Sequence, residues 1–180
     1  SLGFNCELGS ETDVLSRYID AAIKYDATIV VRITGDCPLV DPVLVDECIE
    51  KFKTSRVNFL SNTMPPTFPD GLDVAVMDIE TLMYASQFAC TAYDREHVTS
   101  FIRKSHNLRF ESLINDQDLS HLRWTVDEPR DYEHIKTIFE VFQPEIHFGW
   151  REVLERIGDS ACSLPANQGI TRNRGSNMST

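Results

Sequence analysis

The sequence predicts an α/β layer fold with a mainly parallel sheet and flanking helices, and three observations support this prediction. Short apolar segments rich in β-branched residues alternate along the chain with amphipathic segments of helical period. No internal repeat or low-complexity linker divides the sequence. At 180 residues, with 42% hydrophobic and 25% charged residues, the chain suits one globular domain with its own core. We expect this domain at residues 1–158 and a tail rich in Gly, Asn and Ser at residues 159–180.

The first part of the chain predicts a helix, a strand, a second helix and a second strand. Residues 11–25 follow the N-cap candidate Ser10 and carry apolar side chains at helical spacing. Residues 28–33, TIVVRI, are β-branched and apolar at successive positions, as in a strand covered on both faces. Asp41 and Pro42 then begin a helix, because aspartate accepts hydrogen bonds from the first amides and proline suits the first helical position. The segment RVNFLSN resembles another strand.

The second part of the chain continues the alternation after a loop. TMPPTFPDG is predicted to be irregular because it contains three prolines and a glycine. The later predicted elements, in chain order, are a strand LDVAVMD, a helix capped by Asp78, a helix around REHVTSFIRK, two strands LRFESLI and HLRWTV that could form a hairpin at the sheet edge, a helix PRDYEHIKTIFEVF and a short helix WREVLERI.

Charge and cysteine content exclude several classes of protein. The formal charge of -11 opposes phosphate backbones, so we expect no nucleic-acid partner. The five cysteines are widely spaced without a C-x-x-C pair, which favours a reducing compartment and gives no zinc motif. No apolar run approaches the roughly 20 residues that span a bilayer, so we expect no membrane partner and a cytoplasmic location.

Two aspartates follow apolar segments in the same local pattern. Asp36, in TGDCP, and Asp127, in TVDEP, each end an apolar run and precede a proline. In α/β sheets ligands bind beyond the carboxyl ends of the strands, so both acids would emerge at one edge if their strands are neighbours. Two converging carboxylates suit Mg²⁺, which is held by one or two carboxylates together with substrate phosphates. The alternative is that each aspartate is only an N-cap.

Several neighbouring residues carry weaker signals. Gly35 would let a ligand approach the backbone next to Asp36. Arg32 and Arg123 interrupt apolar segments, and a buried arginine needs an anion, either an internal carboxylate or a ligand phosphate. Cys37 has no evident base beside it and is interpreted as packing.

Five ordered motifs together resemble a known enzyme family. RITGDCPLVDP, FPDGLDVAV, DREHVTSFIRK, LRWTVDEPRDYE and NQGITRNRG are similar to segments of cytidylyltransferases of the spore-coat polysaccharide type, which are related to the enzymes that make CMP-linked Kdo and sialic acids. The similarity extends from about Gly9 to Gly175. It implies a Rossmann-like nucleotide-diphospho-sugar transferase fold and transfer of a cytidylyl group from CTP to a sugar or sugar acid, with release of pyrophosphate. It also implies that Asp36 and Asp127 are the two Mg²⁺-binding acids.

Two further segments contain candidates for contact with the sugar, by their places on a loop and at the start of a helix. Asp70, Gly71 and Asp73 of PDGLD would bind sugar hydroxyls, although Asp-Gly is also a common turn pair. Arg95, Glu96 and His97 would face the sugar, although a first-turn glutamate often only compensates the helix dipole.

The resemblance has one gap, at the front of the chain. Relatives begin with a strand and a Gly- and Arg/Lys-containing loop that wraps the triphosphate and reads cytosine, and nothing here matches that segment. We therefore expect an N-terminally truncated domain with an uncovered sheet edge, which invites homodimer formation. A truncated, inactive remnant that acts as a binding or structural module is one alternative function. A dinucleotide oxidoreductase is another, and the absence of G-x-G-x-x-G after any strand argues against it.

Overall fold

Four strands and seven helices form within residues 3–162, the part of the chain that the structure, a computed structural model, describes. The strands are β1 (Ile29–Arg32), β2 (Phe59–Ser61), β3 (Ala75–Asp78) and β4 (Phe110–Ser112). The helices are α1 (Val14–Lys24), α2 (Pro42–Ser55), α3 (Ile79–Phe88), α4 (Ala92–His97), α5 (Thr99–Lys104), α6 (Pro129–Phe142) and α7 (Trp150–Cys162), the last with non-helical backbone at Gly158. The predicted α/β class is confirmed.

The strands form one mixed sheet in the order β1-β3-β2-β4. β1, β2 and β4 run in one direction, whereas β3 lies between β1 and β2 and is antiparallel to both. The pairing therefore differs from the mainly parallel arrangement that the sequence predicts. An antiparallel neighbour needs no crossover helix, so the chain can leave β2 at Ser61 and return beside it through residues 62–74. Because β1 and β2 share a direction, their carboxyl ends open at the same edge.

The two faces of the sheet pack against different helices. One face, which we call the α1 face, contributes Phe59, Ala75 and Met77 to a core with α1, α3 and α5. The opposite face contributes Leu60, Val74 and Val76 to a core with α2. Side chains alternate between faces along a strand, so Arg32 lies on the α1 face together with Val30.

A third core lies beside the sheet and supports its carboxyl edge. Trp124 is fully buried there against side chains of α6 and α7 and against Leu72. The extended segment that contains Trp124 is thereby held by packing on the sheet's flank.

Aspartate caps set the starts of three helices. Asp41 Oδ1 accepts hydrogen bonds from the N–H groups of Val43 and Leu44, with Pro42 at the start of α2, as predicted. Its Oδ2 accepts from the Trp150 N–H at 2.9 Å, so the same carboxylate also orients the start of α7. Asp78 caps α3, as predicted. The cap of α1 is Asp13, three residues later than the predicted Ser10.

Two predicted elements are wrong. HLRWTV is not a ladder strand: it forms only an isolated bridge between Arg123 and Asp70, and no hairpin with β4, which pairs with β2. An alternating apolar pattern requires extended backbone against a core, and such backbone need not join a sheet. The single helix around REHVTSFIRK is two helices, because the backbone at Val98 has φ 59° and ψ -59° between α4 and α5.

The remaining expectations concern the tail, the cysteines and the membrane. Most of residues 159–180, including NQGITRNRG, lies outside the described residues. Cys6, Cys37, Cys48 and Cys90 are free thiols. Among residues 3–162, none of the helices has both the length and the apolar character needed to span a bilayer.

Candidate active site

A cavity of about 360 Å³ opens at the edge where β1 and β2 end. Four carboxylates line it, those of Asp36, Asp70, Asp73 and Asp127. Cationic side chains and hydroxyl groups complete the lining, with Arg32 and Arg103 among them. The cavity therefore suits a polar ligand that carries charge.

Asp36 lies in the loop after β1 and is fastened to the segment that carries Asp127. Its backbone carbonyl accepts hydrogen bonds from the Val126 N–H at 2.9 Å and from the Thr125 hydroxyl at 3.2 Å. The Cys37 thiol donates to Asp36 Oδ1 at 3.6 Å. These bonds bring the two Asp-containing motifs side by side, although they are far apart in sequence.

Asp127 begins the turn before α6 and faces the same cavity as Asp36. Its side chain is 52% exposed. The Oδ2 atom accepts a hydrogen bond from Arg123 Nη2 at 2.7 Å. The structure therefore brings the two acids together at one edge, as the motif pattern predicts, while their roles toward a ligand stay predictions.

The two carboxylates fit the way in which proteins usually hold Mg²⁺. Within residues 3–162, no group of three or more His, Cys, Asp and Glu side chains is arranged to hold a metal ion. Mg²⁺ needs no such cage, because it keeps several waters and is bound by one or two carboxylates plus substrate phosphates. Asp36 and Asp127 on one cavity wall could supply those carboxylates.

Arg123 is buried and pairs with three aspartates around the cavity wall. Its Nε and Nη2 atoms donate to the two oxygens of Asp131 at 3.1 Å and 2.7 Å. Nη1 donates to Asp70 at 3.1 Å, and Nη2 also contacts Asp127. The guanidinium thus connects two walls of the cavity. The sequence left open whether Arg123 pairs with an internal carboxylate or with a ligand phosphate, and the structure shows internal carboxylates.

Asp131 is the most deeply buried of the three carboxylates that pair with Arg123, and sequence analysis did not identify it. Burial alone would raise the pKa of its carboxyl, but the hydrogen bonds from Arg123 and from the backbone N–H groups of Asp127 and Glu128 outweigh burial and hold the pKa below its ordinary value. Desolvation alone would lower the pKa of Arg123, but its hydrogen bonds to Asp131 and Asp127 and the charges of Asp131 and Asp70 outweigh it and raise that pKa. The available signal was the spacing of Arg123 and Asp131 on either side of Asp127.

The predicted sugar-binding turn also lies on the cavity. Asp70, Gly71 and Asp73 all line it. Gly71 has φ 106°, and a Cβ there would lie 2.5 Å from the carbonyl carbon of Trp124. Glycine is therefore required by both the turn and the close approach, so the turn interpretation holds alongside the position on the cavity.

The second predicted sugar-binding group is divided. His97 lines the cavity with Tyr93, one helical turn away on α4, and their ring centroids are 4.2 Å apart. Arg95 is not among the lining residues: its Nη2 donates to Asp13 Oδ2 at 2.6 Å and ties α4 to the start of α1. Glu96 is exposed and does not line the cavity either. The helical period directs these neighbours to other sides of α4.

A loop glycine and several polar side chains also belong to the cavity region. Gly35 lies between the lining residues Thr34 and Asp36, and a Cβ there would meet no atom within 4 Å. Sequence analysis missed Arg103, Ser61 and Thr63, because polar residues after a strand or on a short helix carry no distinctive spacing. Cys37 is buried, and burial raises the pKa of its thiol to about 11, which agrees with a packing role.

The fold and the cavity define a class of protein, α/β domains that hold charged small molecules beyond the carboxyl ends of their strands. The sequence places the chain within that class: it belongs to the cytidylyltransferase family, whose family model matches residues 1–159.

Two curated proteins and one solved structure are similar to the chain. It is 32% identical over 136 residues to the uncharacterized protein MJ1063 of Methanocaldococcus jannaschii, and this alignment covers 74% of this chain and 55% of that protein. It is 29% identical over 144 residues to the spore coat polysaccharide biosynthesis protein SpsF of Bacillus subtilis, covering 77% and 58%. The chain therefore spans just over half the length of these relatives. A cytidylyltransferase structure from Leptospira borgpetersenii matches with a TM-score of 0.80 and 30% identity, over 91% of this chain and 68% of that chain.

Proposed function

We propose that the protein is a nucleotidyltransferase that transfers a cytidylyl group from CTP to a sugar or sugar acid for surface polysaccharide biosynthesis. The observation that supports this proposal most directly is that Asp36 and Asp127 line one cavity. The Val126 N–H donates a hydrogen bond to the Asp36 carbonyl and so holds the two Asp-containing segments together. Membership of the cytidylyltransferase family supports CTP as the donor. The similarity to a protein named for spore coat polysaccharide biosynthesis supports the pathway.

In the proposed reaction, a sugar hydroxyl oxygen forms a bond to the α-phosphorus of CTP, the bond from that phosphorus to the bridging oxygen breaks, and pyrophosphate leaves with the electron pair. The hydroxyl proton passes to solvent. Mg²⁺, when bound, neutralises the charge that develops on the phosphate oxygens.

Each part of the cavity wall has a role in this proposal. Asp36 and Asp127 hold the metal ion, and Arg123 holds Asp127 in place through its Oδ2 atom. Asp70, Gly71 and Asp73, on the turn that the same arginine anchors through Asp70, contact the sugar, and His97 closes the cavity from α4.

Pyrophosphate release by the intact gene product tests the proposal. We expect release with CTP, at most about a tenth as much with UTP, and dependence on one member of a panel of sugars and sugar acids. Asp36→Asn and Asp127→Asn should each lower kcat/KM at least ~100-fold, because loss of electrostatic stabilisation costs that order of rate. Asp116→Asn is the matched control, because it removes the same charge at an exposed position. Full Mg²⁺-dependent activity in both cavity variants would contradict the assignment.

A cytoplasmic location and a homodimer belong to the same proposal. The free thiols of the described cysteines support the first. Light scattering after size-exclusion chromatography tests the second, and a monomer mass at all concentrations would contradict it.

A further inference from the structure

Arg32 is an arginine of the cavity lining that has no anionic partner among the described residues. It is the last residue of β1, it is partly buried, and it lines the cavity. Among residues 3–162, its side chain forms neither a salt bridge nor a hydrogen bond, although Asp36 follows only four positions later. A guanidinium that loses part of its contact with water is stabilised by an anion. In the described part of the chain, Arg123 pairs with internal carboxylates and Arg32 does not.

The position of Arg32 in the sheet places its side chain on the cavity floor. Arg32 pairs with Ala75 of β3, and Ala75 pairs on its other side with Ser61 of β2. Directly paired residues project from the same face, so these three side chains form a row on the α1 face. The middle member is an alanine, whose methyl group leaves room above the sheet.

A second arginine approaches the same row from the other side. Arg103 of α5 donates from Nη2 to the Thr63 hydroxyl at 2.8 Å, and its guanidinium carbon lies 5.9 Å from the ring centroid of Phe59. Phe59 is on β2 and on the α1 face. The Arg32 side chain therefore extends from β1, and the Arg103 guanidinium lies over β2. The backbones of β1 and β2 are two strand spacings apart, about 10 Å. Ala75 of β3 lies between them.

We propose that Arg32 and Arg103 form an oxyanion subsite on the floor of the cavity, which binds a carboxylate or a phosphate group of the substrate. Planar guanidinium groups bind both anions with paired hydrogen bonds. The subsite uses other side chains than Asp36 and Asp127, although all four residues line the same cavity. The source of the anion rests on the proposed function: it is the acid group of the sugar or a phosphate of the nucleotide.

Anion binding without metal or CTP tests the subsite by itself. The 180-residue chain in EDTA is titrated with glucuronate, with glucose as its neutral counterpart, and with inorganic pyrophosphate, by calorimetry. We expect saturable binding of at least one anion and at least about tenfold weaker binding of glucose. Arg32→Gln and Arg103→Gln should each weaken the anion about tenfold or more, because each removes a charge-assisted contact. Arg109→Gln removes the same charge from an exposed position and should change affinity less than about twofold.

The pattern of binding identifies the source. Arginine-dependent binding of glucuronate assigns the subsite to the sugar acid, and arginine-dependent binding of pyrophosphate assigns it to the nucleotide. If neither anion binds, or if both arginine variants bind as tightly as Arg109→Gln, the proposal is overturned. A chain that binds anions in this way but releases no pyrophosphate from CTP contradicts the proposed function alone.

A measurement on the unaltered chain tests the proposal even if the arginine variants do not fold. With ¹⁵N-labelled arginine, the bound anion should shift the Nε–H signals of Arg32 and Arg103 and leave that of Arg109 unchanged. Arg32→Lys keeps the charge and assigns the first signal by its disappearance. Unshifted signals at saturating anion would overturn the proposal.

Discussion

Replacement of Asp131 by asparagine should destabilise the folded chain strongly without a large change in side-chain size. The Asp131 side chain is 2% exposed and accepts four hydrogen bonds. Two come from Arg123, at 3.1 Å and 2.7 Å, and two from the backbone N–H groups of Asp127 and Glu128, both at 3.0 Å. Asparagine keeps one acceptor oxygen but presents an NH₂ group to donors, so it leaves Arg123 with less negative charge nearby.

The magnitude follows from the burial of this ion pair. Removal of one partner of a buried pair costs about 3–5 kcal/mol, because the other charge stays buried. Arg123 keeps Asp70 and Asp127, so we expect the lower end, about 3 kcal/mol. With a urea m-value of about 2 kcal/mol/M for a domain of this size, the midpoint should fall by about 1.5 M.

The assay is urea unfolding at pH 7 and at pH 3, followed by circular dichroism. The pKa of Asp131 is lowered below its ordinary value of 3.8, so its stabilisation is present above about pH 4 and is lost as the pH falls through the folded-state pKa. The difference between the parent chain and Asp131→Asn should therefore shrink at pH 3. Asp116→Asn, at an exposed position, should stay within about 0.5 kcal/mol of the parent. A cost below about 1 kcal/mol for Asp131→Asn at pH 7 would refute this reasoning.

Two further changes test the geometry of the cavity wall. Gly71→Ala should lower the free energy of unfolding by about 2 kcal/mol or more, because φ 106° disfavours a side chain and the added Cβ would lie 2.5 Å from a Trp124 backbone atom. Gly35→Ala is the control, because its Cβ would meet no atom within 4 Å. Equal urea midpoints for the two variants would contradict the close approach at Gly71. Cys37 should react with iodoacetamide at pH 8 at least ~100-fold more slowly than the exposed Cys90, because burial raises the pKa of the Cys37 thiol to about 11. Mass spectrometry measures both rates, and similar rates would show that Cys37 is not buried.

The local parts of the fold could be predicted because their causes are local. Asp41 and Asp78 cap helices through bonds to amides two or three residues away, and Pro42 suits the first helical turn wherever the helix packs. The segment HLRWTV could not be assigned correctly, because its alternating pattern is satisfied equally by a ladder strand and by an extended segment that packs on a sheet's flank. The direction of β3 was also inaccessible, since alternation along a strand carries no direction.

The site divides in the same way. Asp36 and Asp127 were predicted from repeated motifs, and the structure places both on one cavity. Arg95 was grouped with His97 because they are neighbours in sequence, yet Arg95 pairs with Asp13 and only His97 lines the cavity. Which side of a short helix faces a cavity depends on the position of α1, and that position is a tertiary property.

By itself, the sequence determined the α/β alternation, the caps of α2 and α3, the two Asp-Xaa-Pro motifs and the resemblance to cytidylyltransferases, because each of these depends on residues close together in the chain. Only the tertiary structure decided that Arg123 pairs with Asp70, Asp127 and Asp131, while Arg32 has no carboxylate partner within residues 3–162. Both arginines interrupt apolar segments in the same way. They differ in which carboxylates the folded backbone brings within hydrogen-bond distance, and sequence spacing does not fix that distance. Asp36 follows Arg32 by four residues, as Asp127 follows Arg123, yet among the described residues only the second pair forms a salt bridge.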